Sequence, residues 1–298
     1  DRGELFRVLD GNNEGKVLWQ ADAINRRGQL TNFTLGNGLS TEKAYNDISG
    51  LLESITTGQV QNLEYKFDQV TGNLNWRRDN RYNLTETFTY DELLQSRLET
   101  WKVNNDQTFG IIYSSNGNIL KKTDITQDSN PLSVYQYGQN AGPNAVTTIL
   151  NPAREYNQVA TPQNIKYTAF NKVCEIRQTK VENKKENLLF YKLIYGPDNV
   201  RKVSYLFEDE NMIKLKQYIG SNYEIEIDPS GQKRKIHYIS GSDGLFAIYV
   251  QKGKTNTMYY IQKDHLGSYY CVTDEHGDIV KMDLTEYQER RVSASLKD

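Results

Sequence analysis

Polar and apolar residues alternate at period 2 along most of the chain. Glu64-Tyr65-Lys66-Phe67 and the run Thr85 to Thr89 are clean cases, and alternation of this kind sends successive side chains to opposite faces of a strand. Windows with apolar residues at i, i+3 and i+4 are scarce. Only Tyr90 to Leu98 tempts, where Asp91-Glu92-Leu93-Leu94 could make a short turn of helix, but its place in a repeat favours a hairpin. That repeat is read in AYNDISGLLESITTG (Ala44 to Gly58), LEYKFDQVTGNLNWRRD (Leu63 to Asp79), FTYDELLQSRLETW (Phe88 to Trp101) and GIIYSSNGNILKKTD (Gly110 to Asp124). Each carries an aromatic residue at a strand end, with Asp, Asn or Ser close behind. Then come Gly-Asn, Gly-Leu or Ser-Arg, and an aliphatic residue opens a second alternating run. Phe67, Tyr90, Tyr113 and Tyr137 are spaced 23, 23 and 24 residues apart, and Tyr45 lies 22 residues before Phe67. A fixed period of this length marks stacked supersecondary units.

The unit is strand, tight turn, strand. Hairpin loops of two to five residues need positive φ at one or two positions, which Gly, Asn and Asp tolerate. Thr71-Gly72-Asn73, Asn116-Gly117-Asn118 and Pro197-Asp198-Asn199 supply them. IKYTAFNKVCEI (Ile165 to Ile176) and LIYGPDNVRKVSYLF (Leu193 to Phe207) continue the pattern, with Tyr167 and Tyr195 28 residues apart. Five of the six prolines fall between Pro131 and Pro197, and the stretch 130–164 is the least regular. Proline has no ladder donor and belongs at edges and loops. Because Tyr135 and Tyr137 carry the repeat into that stretch, it reads as a long loop within one continuous sheet. The expected organisation is entering strands or a degenerate repeat over 1–35, repeats over 36–236, and a distinct C-terminal region over 237–298. The fold class is all-β: repeated antiparallel hairpins in a curved, spiralling sheet with at least one unpaired edge.

Composition sharpens this. The 298 residues carry 36 basic and 38 acidic side chains, a formal charge of −2, and 37% hydrophobic residues on a count that includes 21 tyrosines. Exchanging the 21 Tyr for the 21 Gly leaves 37% on the usual apolar set, short of the roughly 45–50% of globular domains. Little is left to fill a thick core. No run approaches the roughly 18–20 apolar residues of a membrane helix, so no membrane insertion is expected. Balanced charge offers no field to steer nucleic acid. Plentiful aromatics and near-zero net charge argue against disorder. Cys174 and Cys271 are too few for a disulfide scaffold and read as two ordinary thiols. DRGELFRVLDG at the start lacks an apolar h-region, so no signal peptide is expected there, and a chain that starts and stops mid-pattern is expected to be a piece of a longer protein.

The units resemble the YD or RHS repeats of bacterial surface and toxin proteins, through the aromatic-Asp pair and the following Gly-Asn-Leu or Ser-Arg-Leu turn. YYIQKDHLGSYYCVTDEHGDIVKMDLTEYQERR (Tyr259 to Arg291) is similar to the opening of the RHS-associated core domain. Tyr260, Lys263, Asp264, His265, Leu266, Gly267, Ser268, Thr273, Asp274, Gly277 and Tyr287 fall where that family has them. HYISGSDGLFAIYV (His237 to Val250), YTAFNK (Tyr167 to Lys172) and GPNAV (Gly142 to Val146) also resemble family phrases, so the likeness runs from about Gly36 onward. It implies a long sheet coiled into a hollow shell, as in RHS and teneurin-type proteins, that encloses a C-terminal toxin or effector in a secreted or surface-exposed bacterial protein. A wall one sheet thick needs few aliphatics and gains from tyrosines that cover sheet surface with a ring and keep a polar tip wet. Roughly thirteen 23-residue units are too few to close such a shell. Self-cleaving relatives carry Asp-Pro-x-Gly beyond the core. The one such string here, Asp228-Pro229-Ser230-Gly231, lies upstream and reads as a turn.

The family motif residues and the repeat positions Tyr45, Phe67, Asp68, Gly72, Tyr90, Asp91, Tyr113, Gly117, Tyr137, Tyr167 and Tyr195 are therefore read as structural. Candidate chemistry is thin. His237, His265 and His276 have no Cys or second His at ligand spacing, so no metal is expected. Asp264-His265 invites a dyad, but no nucleophile is identifiable, and the two read as a strand-end hydrogen-bonding pair. No phosphate loop, dinucleotide fingerprint or nucleophile elbow occurs, so neither an enzyme nor a cofactor is expected. Lys180 to Lys185 and Lys233-Arg234-Lys235 read as solvated hairpin tips. Two functions remain: a structural shell section whose partner is the effector cargo, and a surface adhesin whose exposed Tyr and Trp bind glycans or a partner protein.

Overall fold

The computed structural model describes residues 5–11, 15–91, 97–123, 135–149, 163–182 and 185–280. Tyr287, the Glu92-Leu93-Leu94 turn and most of the proline-containing stretch lie outside them. Among the described residues there is no helix. Strands follow strict chain order in two antiparallel sheets of 11 and 12 strands, and neither order returns on itself to close a barrel. The ladder is thus not the single continuous sheet expected. One sheet ends with the strand Ile119–Lys122 and the other begins with the strand Tyr135–Tyr137. By compactness the chain forms two units, residues 1–108 with 237–298, and residues 109–236.

The first unit opens with β1 (Arg7–Leu9), β2 (Val17–Ile24), β3 (Leu30–Leu35), β4 (Ser40–Tyr45) and β5 (Leu52–Thr57). It continues through β6 (Gln61–Phe67), β7 (Leu74–Asp79), β8 (Leu84–Tyr90) and β9 (Leu98–Val103). The chain passes into the second unit within β10 (Thr108–Tyr113) and continues through β11 (Ile119–Lys122), β12 (Tyr135–Tyr137), β13 (Val146–Ile149) and β14 (Gln163–Tyr167). There follow β15 (Val173–Glu182), β16 (Lys185–Tyr195), β17 (Arg201–Glu208), β18 (Asn211–Ile219) and β19 (Tyr223–Ile227). The chain re-enters the first unit within β20 (Lys233–Gly241), followed by β21 (Gly244–Lys252), β22 (Thr255–Lys263) and β23 (Tyr269–Thr273).

Every repeat aromatic is the last residue of its strand and sits at a register shift. Tyr45 pairs with Leu52, Phe67 with Leu74, Tyr90 with Leu98 and Tyr113 with Ile119. Tyr137, Tyr167 and Tyr195 pair in the same way with Val146, Val173 and Arg201. Such bulges bend the strand into the turn. In the turns after Tyr45, Phe67 and Tyr167 the first polar side chain, Asn46, Asp68 or Thr168, accepts from a backbone N–H of the loop. In Asp68–Asn73 the Asp68 N–H donates to the Asn73 carbonyl, and the Asp68 carboxylate accepts from the Val70 and Thr71 N–H groups and the Thr71 hydroxyl. Those donors, Thr71 first, hold the Asp68 carboxyl below its ordinary range. Gly72 has φ +74°, and Asn171 (59°) and Asn199 (57°) fill the same left-handed place in their own turns. Asp91 closes its turn differently, pairing with Arg97, whose guanidinium lies 2.5 Å from the carboxylate.

The surplus of tyrosine has a specific use. The Tyr90 hydroxyl donates to the carbonyl of Leu74 (3.0 Å), Tyr137 to Ile119 (2.7 Å), Tyr167 to Val146 (2.8 Å) and Tyr195 to Val173 (2.7 Å). Tyr45 reaches Leu30 in the same sense at 3.4 Å. The acceptor is each time the residue that opens the second strand of the preceding unit, so each tyrosine bolts its own turn to the one before. Burial lifts the Tyr45, Tyr90, Tyr137 and Tyr167 hydroxyls above their ordinary range, as expected for donors kept protonated. Replacing Tyr137, Tyr167 or Tyr195 by Phe is expected to cost about 0.5–1.5 kcal/mol each, the net value of one such bond, with Tyr45→Phe at the low end. Urea unfolding midpoints of the four variants check this ordering.

Candidate functional site

The first unit is not one sheet thick. Alternate residues of β2–β8 present one face in columns set by the register: Ala21, Phe33, Thr41, Thr57 and Gln61 in one, and Lys43, Ile55, Leu63, Asp79 and Leu84 in the next. Against that face lie β21–β23. Trp19, Phe33, Leu35, Phe246, Ala247 and Tyr260 form one buried cluster, with Trp19 6.1 Å from Phe33 and 6.3 Å from Phe246 between ring centroids. Ile55, Val60, Leu63, Tyr65, Tyr270 and Cys271 form the other. The scarce apolar residues are concentrated here, which departs from the one-layer wall expected for this part of the chain.

Between the two clusters runs a polar seam. Lys43 Nζ is 2.9 Å from both carboxylate oxygens of Asp243, at the tip between β20 and β21. Lys263 Nζ donates to the Asp243 backbone carbonyl and lies 3.5 Å from its carboxylate. The buried Gln61 donates to the Lys263 carbonyl (2.8 Å). Arg77 is paired with Glu86 and faces Asp264 at 3.9 Å. Asn37 donates to the Thr273 hydroxyl and the Asp274 carbonyl, both at 2.9 Å. Burial, reinforced by the neighbouring Lys43 charge, draws the Lys263 ammonium below its ordinary range against the pull of Asp243. For Arg77 burial works against the charge, but Glu86 and Asp264 outweigh it and hold the guanidinium up. Lys43, Lys263, Asp243, Gln61, Thr41 and Asp264 also line a cavity of about 20 Å³. That is room for about one water and no substrate.

The C-terminal motif residues sit on this docked layer. β22 ends at Lys263, and Asp264 and His265 begin the turn that follows. The Asp264 carboxylate accepts from the Leu266 and Ser268 N–H groups at 2.9 Å, and Gly267 takes φ +79°. The His265 N–H donates to the Tyr65 hydroxyl, and its ring lies 4.6 Å from Tyr65 and 6.1 Å from Phe67. Phe67, a repeat position without a hydroxyl, thus stands where the docked turn arrives. Leu266 is 73% exposed. Asp274 repeats the turn, accepting from the His276 and Asp278 N–H groups, with Gly277 packed over Leu39. The same pattern places Asp228 of Asp228-Pro229-Ser230-Gly231 in a turn, accepting from the Ser230 and Gln232 N–H groups. His237 packs near Tyr249, His276 is exposed beside Asp274, and His265 stands apart from both.

Among the described residues no three His, Cys, Asp or Glu side chains gather as a metal group. Burial pushes the Cys271 thiol up to about 12, which leaves it protonated and a poor nucleophile at neutral pH. Burial and Asp79 likewise drive the Tyr270 hydroxyl up. Tyr260 is fully buried, its hydroxyl has no hydrogen-bond partner among the described residues, and burial with the Glu275 and Asp10 charges pushes it up to about 12. An unfolded tyrosine ionises near 10, so between pH 10 and 12 only the unfolded chain gives up this proton. Stability from this group is therefore complete below 10 and falls by about 2–3 kcal/mol as pH rises to 12. Tyr260→Phe is expected to remove that share of the alkaline loss, leaving the shares of Tyr270 and Cys271, and at neutral pH to equal or exceed the parent. Urea midpoints across the alkaline range decide it; parallel curves for parent and variant would assign the loss elsewhere.

Sequence reasoning missed Trp19, Lys43, Gln61, Arg77 and Asp243 as parts of one site. No family model matches the sequence, and no curated protein matches it. Solved structures do. A TcdB2-TccC3 crystal structure is similar with TM-score 0.62 and 16% identity over 93% of this chain and 16% of that one. The TcdB2-TccC3-Cdc42 structure gives 0.61 and 15% over 92% and 16%. The Tc holotoxin pore of Photorhabdus luminescens gives 0.60 and 14% over 89% and 15%. The chain spans about one sixth of the length of these neighbours, and what it shares with them is an RHS-like, all-β fold of serial hairpins.

Proposed function

We propose that the chain is a structural, non-catalytic section of an RHS-type shell that encloses or presents a C-terminal toxin or effector of a secreted or surface-exposed bacterial protein. The observation that supports this best is the chain-order ladder of tyrosine-bolted hairpins, which aligns along nearly its whole length with chains of Tc toxin complexes. Such a ladder supplies wall; a repeated unit that bonds only to its neighbours extends without needing a central core. The docked C-terminal hairpins stiffen it, because the seam ties positions about 200 residues apart. The repeat tyrosines Tyr90, Tyr137, Tyr167 and Tyr195 spend their hydroxyls on the ladder, which favours wall over sugar binding for them. Limited proteolysis of the full-length parent tests the proposal. The region following this chain should resist digestion until the hairpins are denatured; digestion at the rate of the isolated region would overturn it.

A further inference from the structure

The cavity in the polar seam is rich in donors and short of open acceptors. Trp19 lines it fully buried, and its indole N–H has no hydrogen-bond partner among the described residues. Lys43 and Lys263 line it too, with side chains 13% and 15% exposed, and each ammonium carries three N–H bonds. Both lean on one residue, Asp243. Lys43 spends two bonds on its carboxylate, and Lys263 turns to its backbone carbonyl with the carboxylate 3.5 Å away. The other acceptors on the wall are engaged as well. Gln61 Oε1 accepts from the Thr57 hydroxyl and Gln262 Oε1 from the Cys271 thiol. The Asp264 carboxylate accepts from two turn N–H groups and faces Arg77. We propose that the cavity is a binding site for a single monovalent anion of the halide class, chloride in ordinary solution, held by Lys43, Lys263 and the Trp19 N–H.

Size and charge select this ligand. About 20 Å³ admits one particle of water's dimensions, so carboxylates, phosphate and sulfate are too large. Chloride is slightly larger than water, and two flexible lysine ends give the difference. A cation would meet two ammonium groups. A water accepts from the indole but brings two hydrogens of its own to a wall whose acceptors are taken, whereas a halide only accepts. Charge points the same way. Two cations share the one carboxylate of Asp243, and the Phe33, Ile55, Phe246 and Ile261 side chains make the wall around them apolar. Attraction to an anion is stronger there than in water. Asp243, with its side chain 30% exposed at a turn tip, leaves a way in from solvent. The lysines of the second unit offer no such place: Lys216 lies between Glu224 and Glu226, and Lys202 pairs with Asp198 in the open. An anion here ties β2 and β4 of the hairpin face to the docked β22, so the strength of the seam depends on the halide in solution.

Urea unfolding of the chain at fixed ionic strength, with sodium chloride exchanged stepwise for sodium gluconate, tests the site. The midpoint should climb with chloride as it does for any ligand bound only by the folded state, and bromide should replace chloride. Trp19→Phe keeps a buried ring without the N–H and should weaken the halide affinity about two- to tenfold, the worth of one hydrogen bond. Lys263→Met should flatten the dependence. Both variants shift stability by themselves, so the quantity read is the chloride-dependent rise in each protein and not its midpoint. Crystals soaked in bromide should show an anomalous peak within hydrogen-bonding reach of Lys43 and Lys263 Nζ. Equal midpoints in chloride and gluconate would overturn the proposal. So would a rise undiminished in both variants, which would place the effect on surface charges. Bromide peaks elsewhere with a water between the two lysines, an adventitious ion only, would overturn it too.

Discussion

Trp19→Ala is expected to cost about 3–5 kcal/mol, the range for deleting a large aromatic from a packed core. The indole is fully buried, flanked by Phe33 from its own sheet and Phe246 from the docked layer. Gly241 lies flat on it: a Cβ there would come within 2.9 Å of the ring. The Gly241 backbone forms one wall and has no side chain to fill the space, so much of the void would persist. Set against the roughly 5–15 kcal/mol that hold a domain together, the loss is large enough to separate the two layers at moderate urea. Near-ultraviolet circular dichroism should lose the signal of the first unit at a lower midpoint, while the tyrosine ladder of residues 109–236 melts as before. A cost under about 1 kcal/mol would mean that Trp19 does not hold the layers together.

The hairpins were legible because their causes are local. An aromatic residue, a capping Asp or Asn and a residue able to take positive φ lie within a few positions of one another, and Asp68 with Gly72 builds its turn from nothing else. The use of tyrosine was half legible. Its surplus and spacing stand in the sequence, but the acceptor of Tyr137 is the carbonyl of Ile119, 18 residues back, and a carbonyl has no residue type to read. The docked layer was not legible, since Lys43 and Asp243 are 200 residues apart and each looks like an ordinary strand or turn charge. One signal was present. Phe246-Ala247-Ile248, Tyr260-Ile261-Gln262 and Tyr270 to Thr273 are consecutive runs, buried throughout, where the repeats alternate. Such runs mark strands covered on both faces. The low overall apolar content hid how unevenly that content is placed.

Gly36→Ala is expected to destabilise the first unit by about 3 kcal/mol, the upper part of the range for forced overpacking. The reason is space, not dihedral strain. A Cβ on Gly36 would collide with the Tyr260 hydroxyl, stand 2.7 Å from the Val17 carbonyl and 3.0 Å from Leu18 Cα, while the Gly36 N–H is bonded to the Leu18 carbonyl at 2.8 Å. Two of those neighbours are backbone and cannot swing away, and Tyr260 is fully buried. Gly72→Ala makes the internal comparison. That residue has φ +74° and nothing within 4 Å, so alanine there meets only the left-handed penalty of about 1–2 kcal/mol. Adding Tyr260→Phe to Gly36→Ala removes the hydroxyl collision but leaves the Val17 carbonyl, so the double variant should recover only part of the loss. Chemical denaturation of the four proteins reads all of this. If Gly36→Ala costs no more than Gly72→Ala, the close approach of the docked layer at Tyr260 is wrong. If Tyr260→Phe restores the whole loss, the hydroxyl alone sets the fit and the β2 backbone has room to move.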